Sequence, residues 1–470
     1  MRRRGAVTLA LSFVWLVAST PDAQAPHGER ADRPSTSWLD QYREPASRLI
    51  GEAVGSTFAW QRLALLTDSI GNRLSGTRAL DRAIEWAVDE MKRDGLENVH
   101  TESVRVPTWV RGSESAEIVE PARHAMVMLG LGDSVGTGTG ADGIQAEVVV
   151  VRSFEELDAK AARARGRIVL FNVPFTHYGE TVRYRAQGPS RAARHGAVAM
   201  LVRAVGPAGL RTPHTGALQY AADAPKIPAA AITTEDADRL QRMADRGSRI
   251  VVHLKMEAHF EADALSANVV GEIRGREKPE EVVVVSGHLD SWDVGAGATD
   301  DGGGCIVTWE ALRIMKKLNL RPRRTVRVVL WTNEENGGRG GLAYRDQHRA
   351  ELARHVLMME SDGGVFRPLG FGFSGNDAAR DTVKAIATLL TGIAADQVSL
   401  GGGGADIGPS IQEARIPAMS LEVDGSKYFL IHHTPADTID KIDPIEMAKC
   451  AAAVTVMAYV VADLPHRLGE

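Results

Sequence analysis

Between residues 78 and 95 the apolar positions Leu80, Ala83, Ile84, Ala87, Val88 and Met91 recur at i, i+3, i+4, i+7, i+8 and i+11. That period places them on one face of a helix, and Gly95 predicts its C-terminal stop. Farther along the texture changes. Glu147 to Val151 and Arg167 to Phe171 are short apolar runs between glycine-rich turns, and Thr233 to Asp245 has a helical pattern. This block, roughly 120–260, reads as a β-rich insertion that shapes a site rather than performing chemistry. From Ala267 onward the apolar runs become continuous: Glu281 to Ser286, with four valines in a row, then Arg324 to Trp331, then His355 to Met359. A loop and a helix-like segment follow each run. Strands apolar on both sides suit a parallel sheet covered by helices, so the fold class is α/β.

The chain of 470 residues exceeds one compact domain of the usual size, roughly 100–200 residues. A formal net charge of -5 argues against a nucleic-acid partner, which calls for a basic excess. At the N-terminus Arg2, Arg3 and Arg4 precede an apolar run from Ala6 to Ala18, and Ala23-Gln24-Ala25 supplies small residues for cleavage. This is the layout of a secretory signal over residues 1–25; at 13 residues the run is short of the roughly 20 of a membrane span. Secreted or periplasmic location follows, with a flexible polar stretch over 26–37. No later segment reads as long and apolar enough to cross a membrane. Cys305 and Cys450, the two cysteines, read as buried free thiols.

The candidate chemistry falls where the valine-rich runs end. The first ends in Ser286-Gly287-His288-Leu289-Asp290, the second in Thr332-Asn333-Glu334-Glu335, the third in Glu360-Ser361-Asp362. Ligands of open α/β sheets bind along that carboxyl edge. Gly295 to Gly304 adds Asp300-Asp301 just before a helix, and His432-His433-Thr434-Pro435-Ala436-Asp437 adds two histidines. His288, Asp300, Glu335, Asp362 and His433 together offer two imidazoles and three carboxylates, which suits Zn²⁺. If Asp300 bridges two ions, each ion receives one histidine, the shared Asp300 and one further carboxylate. Two Zn²⁺ against three carboxylates leave one positive charge, which favours hydroxide over water. One of the adjacent Glu334 and Glu335 binds metal and the other takes the proton of the water. Asp290, two residues after His288, is spaced to hold that imidazole from behind.

These motifs, with Met359-Glu360-Ser361-Asp362 and His433-Thr434-Pro435-Ala436-Asp437-Thr438, resemble the zinc exopeptidase superfamily, which includes bacterial leucyl aminopeptidases, the membrane glutamate carboxypeptidase and the transferrin receptor. The run His288-Leu289-Asp290-Ser291-Trp292-Asp293-Val294-Gly295, and Asp94 to Val99 followed by Arg105-Val106-Pro107, resemble its plasma glutamate carboxypeptidase branch. The resemblance implies a mixed, largely parallel sheet flanked by helices and an inserted protease-associated domain. The units are then 1–25, 26–120, 121–260 and 261–470. It implies two Zn²⁺ per chain held by His288, Asp300, Glu335, Asp362 and His433, with Asp300 bridging. Glu334 is then the base, Asp290 orients His288, and His433 rather than His432 is the ligand. Short peptides are the implied substrates and a homodimer the implied assembly, with no stable membrane insertion after signal removal. Carboxypeptidase or dipeptidase action is favoured. An aminopeptidase or single-zinc cyclase on the same scaffold, and a non-catalytic receptor, are the rivals. Asp406 and Tyr428 are further candidates for the pocket lining.

Overall fold

The computed structural model describes residues 36–138 and 142–470. The predicted signal segment 1–25, and the stretch 26–37 except its last two residues, lie outside them. Three α-helices come first among the described residues: α1 (Asp40–Val54), α2 (Phe58–Ser69) and α3 (Arg78–Arg93). In α3 the predicted face is buried through Leu80, Ala83, Ile84, Ala87 and Met91, while Val88 is half-buried. Thr77 caps its start by accepting from the Leu80 N–H. Gly95, at φ +74, turns the chain out, and the Gly95 and Leu96 N–H groups close on Lys92 O and Met91 O. Such a left-handed exit favours glycine.

The main sheet has eight strands: β1 (Glu97–Val106), β2 (Ala264–Ile273), β3 (Lys278–His288), β4 (Arg324–Trp331), β5 (His355–Glu360), β6 (Pro368–Ser374), β7 (Gln397–Leu400) and β8 (Ala418–Val423). Their spatial order is β1-β2-β4-β3-β5-β8-β6-β7. β3 runs parallel to β4 and β5, β5 to β8 and β6 to β7, whereas β1–β2, β2–β4 and β6–β8 are antiparallel. The sheet is therefore mixed. The chain passes from β3 to β4 on one side and then to β5 on the other. That reversal opens a crevice at the carboxyl end of β3, where α/β sheets bind ligands.

Both faces are covered. Val282 and Val284 join Trp331, Tyr344, Ile407 and Ile416 in one core, so Val283 and Val285 point to the opposite face. On the first face lie α5 (Arg339–Gln347) and α6 (Gly408–Ala414). α4 (Gly303–Lys317) and α7 (Pro444–Asp463) pack together and against α1, α2 and the sheet. The 20 residues of α7 are long and apolar enough to cross a membrane, contrary to the expectation from sequence, yet 83% of its apolar window is buried inside this fold. Packing on α1, α2 and α4 accounts for that apolarity. Both cysteines are buried and free.

Between β1 and β2 the chain builds a second eight-stranded sheet from Glu114–Glu120 to Val251–Met256. Four of its strands, from Ile144–Val151 to Ala229–Ile232, are parallel. Helices Phe154–Ala159, Tyr178–Ala186, Gly188–Arg194 and Thr234–Asp245 lie on the way. The block expected to be β-rich is thus itself an α/β layer. The helical pattern over Thr233 to Asp245 is borne out by Thr234–Asp245, while the other three of these helices escaped the pattern because they are only six to nine residues long. The chain enters and leaves this insert through one ribbon, Trp109–Val110 paired antiparallel with His259–Phe260.

Candidate metal centre

The end of β3 places His288 at the crevice, and the next turn is held from beneath by Arg73. This arginine is fully buried. Its guanidinium donates to Leu289 O, Gly71 O, Ala296 O and Gly297 O at 2.7–3.0 Å. The loop it gathers leads to Asp300 and Asp301 at the start of α4. Asp437 accepts from the Thr299 and Asp300 N–H groups at 2.7 and 3.1 Å, fixing where the Asp300 carboxylate projects. Asp301 accepts from the His288 and Gly304 N–H groups, tying the end of β3 to the first turn of α4.

The five residues expected as ligands meet here. His288 Nε2 lies 3.1 Å from Asp300 Oδ1 and 3.4 Å from Asp362 Oδ1. His433 Nε2 lies 3.1 Å from Asp300 Oδ2 and 3.1 Å from Glu335 Oε2. Asp300 therefore faces both imidazoles, one with each oxygen. Glu334 Oε2 stands 4.0 Å from His288 Nε2. His432 also reaches Asp300, at 3.4 Å, with its ring stacked on His433 at 3.5 Å between centroids; it does not approach Glu335 as His433 does. Among the described residues three donor sets are close enough to hold an ion: His288-Asp300-Glu335, His288-Asp301-Asp362 and Asp300-His432-His433.

Asp290 does not hold His288 in the expected way. The ring Nδ1 is bonded at 3.0 Å to the Asp290 backbone carbonyl, while the nearer carboxylate oxygen is 3.9 Å off. The carboxylate instead accepts from the N–H groups of Glu334 and Glu335 at 3.1 and 3.3 Å. It sets the loop carrying both glutamates. A peptide oxygen is the better partner for His288 because two residues of spacing bring it beneath the ring.

The electrostatics of the cluster suit cations. Burial, reinforced by Asp362, Glu335 and Asp300 and opposed by His288, holds the Glu334 carboxyl well above its ordinary range. Burial and Asp300 push Glu335 up to about 7, and burial with Asp362 and Asp300 raises Asp301. Burial opposes charge on His288 and His433, yet Asp362 and Asp300 raise the former and Glu335 and Asp300 the latter. Carboxylates so crowded need positive charge to stay ionised. His288 Nε2 is buried without a hydrogen-bond partner, as suits a nitrogen kept for a metal. Two imidazoles with their outer nitrogens on carbonyls, surrounded by carboxylates, fit divalent zinc.

Beside the cluster opens a cavity of about 320 Å³ lined by Glu334, Asp362, Tyr428, Phe429, Tyr178 and Arg185 among others. Tyr428 lines it as expected. Asp406 is buried next to Glu360, whose carboxylate accepts from the Asp406 and Ile407 N–H groups. Tyr178 and Arg185 come from the insert and carried no sequence signal. Asp437 did carry one, as the acid closing His433-Thr434-Pro435-Ala436-Asp437.

The profile of peptidase family M28 matches residues 268–458, the segment that carries every residue of this cluster. Carboxypeptidase Q of Mus musculus is 48% identical over 443 residues, 94% of each chain. Carboxypeptidase Q of Homo sapiens is 48% identical over 410 residues, 87% of this chain and 86% of its own. Among solved structures, a peptidase M28 precursor from Shewanella amazonensis SB2B superposes with a TM-score of 0.86 at 33% identity, covering 91% of this chain and 98% of that one. A zinc aminopeptidase from Bacillus subtilis shares the fold, with a TM-score of 0.66 at 20% identity over 87% and 96% of the two chains. With near-complete coverage at almost half identity, the chain belongs to peptidase family M28, in the branch of the carboxypeptidase Q proteins.

Proposed function

We propose that the chain is a two-zinc metallo-exopeptidase that hydrolyses dipeptides or short peptides, of carboxypeptidase or dipeptidase type, in the periplasm or outside the cell. The observation that carries the metal count is Asp300. Its two carboxylate oxygens face different imidazoles at 3.1 Å, as a shared ligand of two ions requires. His288 with Asp362 belongs to one ion, His433 with Glu335 to the other.

Zinc, when bound, supplies Lewis acidity toward the peptide carbonyl and lowers the pKa of water. The side chains supply the rest. Glu334 takes a proton from the attacking water on its carboxylate and returns it to the leaving amine nitrogen. Asp290 keeps Glu334 in reach through its backbone N–H. Arg185 favours recognition of a free carboxylate. It is buried, donates to three neutral oxygens (Ala217 O, Thr215 O and Tyr178 Oη), and lines the cavity. Among the described residues no carboxylate forms an ion pair with it, so its charge is open to the substrate.

The insert, Glu114 to Met256, is assigned as the protease-associated domain. The signal peptide over 1–25 and a homodimer belong to the same reading. The deciding experiment counts zinc per chain and assays free and N-blocked dipeptides with and without a chelator. Two zincs and chelator-sensitive cleavage of free dipeptides are expected. Preference for amides without a terminal carboxylate overturns the carboxypeptidase type in favour of an aminopeptidase.

A further inference from the structure

The insert touches the metal cluster through a short strap, His214-Thr215-Gly216-Ala217. The Thr215 N–H donates to His433 O at 3.0 Å, and His433 Nδ1 bonds Thr215 O at 3.3 Å. One residue, through its N–H and its carbonyl, thus grips both the backbone and the ring of the histidine. His433 sits at φ +59, a region a residue with a Cβ seldom adopts unaided. The same Thr215 carbonyl accepts from Arg185 Nη1 at 3.2 Å, and Ala217 O accepts from Arg185 Nε at 3.3 Å.

The strap is braced in turn. Thr215 Oγ1 donates to Gly130 O at 2.8 Å and accepts from Arg111 Nη2 at 3.3 Å. Arg111 is bound to both oxygens of Asp293 at 2.8 and 2.6 Å. Asp293 lies on the loop between His288 and Asp300. The strap also has no room to spare. At Gly216, φ +129, an added methyl stands 2.3 Å from Arg185 Nη1 and 2.7 Å from His433 Nδ1.

We propose that this strap is a positioning element of the metal centre: through the Thr215 peptide the insert fixes His433 and the cleft-facing Arg185 together, and so sets zinc affinity and carboxylate binding at once. The inference rests on the metallopeptidase reading above. Outer hydrogen bonds of ligating histidines fix the tautomer and orientation, and losing one costs about 10–100-fold in metal affinity.

The test uses the full chain loaded with zinc and titrated with a competing chelator. In Gly216→Ala one zinc is expected to leave about 10–100-fold more readily while the other holds as in the wild type. KM for a free dipeptide rises in the same variant. Gly209→Ala is the control, because Gly209 lies on the preceding loop at φ +126 with nothing within 4 Å of an added methyl; it shares the backbone strain but not the contacts. Thr215→Val removes the Oγ1 ties and weakens the same zinc by less, and Thr215→Ser restores it. If Gly216→Ala does not fold, the Thr215 pair decides. Wild-type zinc affinity in Gly216→Ala or in Thr215→Val, or an equal loss in Gly209→Ala, overturns the proposal while leaving the metallopeptidase reading intact. Wild-type protein that takes up no zinc overturns both.

Discussion

Two buried polar clusters flank the main sheet, and they differ in how their charges close. In one, Arg327 on β4 donates to Glu272, Tyr344 and Glu351 at 2.7–3.1 Å, and His348 sits between Glu102 and Glu351. Each carboxylate there has a cationic side chain against it. His348 is drawn up to about 9, since Glu102 and Glu351 outweigh the opposing effect of burial, and its hydrogen bond draws Glu351 down to about 2. In the other, Asp300, Asp301, Glu334, Glu335 and Asp362 share two histidines, and burial with mutual repulsion raises four of the five carboxyls. The first cluster is complete as protein. The second keeps its carboxylates ionised only if cations join it. Density of buried charge therefore does not mark a site; an unbalanced sum does.

This contrast can be broken at four points. Replacing Glu334 with Gln removes the proposed proton carrier and leaves the five proposed ligands in place. Turnover should fall about 10²–10⁴-fold, or about 2.7–5.5 kcal/mol, at unchanged zinc content, read by steady-state kinetics beside metal analysis. Arg327→Met should cost about 3–5 kcal/mol of stability, because it leaves buried carboxylates unpaired; denaturant titration measures it, and zinc content should not move. Stripping zinc with a chelator should do the reverse. The balanced cluster is untouched, while the protein loses about 2.7 kcal/mol for each zinc held at 100 times its dissociation constant, visible as a lower melting temperature recovered on adding zinc back. His348→Gln should show the smallest change, about 1–2 kcal/mol after allowing for its partial exposure. Because folding raises the pKa of His348 from 6.5 to about 9, its stabilisation is full below pH 6.5 and disappears as pH climbs through about 9. The gap between wild type and variant should close over that range; a gap independent of pH would show that His348 does not carry the charge.

Much of the second cluster was legible because its residues stand at the ends of continuous valine-rich strands, where β geometry sends them to one edge. His288, Glu335 and Asp362 were readable on that ground, as were the parallel core strands, while Asp300 and His433 were read from the glycine-rich loop before a helix and from the His-Thr-Pro-Ala-Asp segment. Asp290 was named, but its task was misplaced: spacing alone does not say whether a carbonyl or a carboxylate faces the ring. Arg73, Arg185 and Thr215 were invisible for a different reason. Arg73 meets Leu289 and Thr215 meets His433 across more than 200 residues, and Arg185 bonds the carbonyls of Thr215 and Ala217 about 30 residues on; no local period records such approaches. Of the insert's helices Thr234–Asp245 was legible, whereas those of six to nine residues were missed because they are too brief to show a period, so tertiary packing rather than propensity holds them.

The ribbon of Trp109–Val110 against His259–Phe260 gives the insert only one covalent doorway, which invites exchange of the whole block between relatives. The strap at Thr215 makes that exchange costly to plan. A transplanted block brings its own grip on a foreign histidine, so a graft chosen to alter substrate choice also resets how tightly the recipient keeps its metal. Chimeras in this family are then best screened for zinc retention before they are screened for specificity.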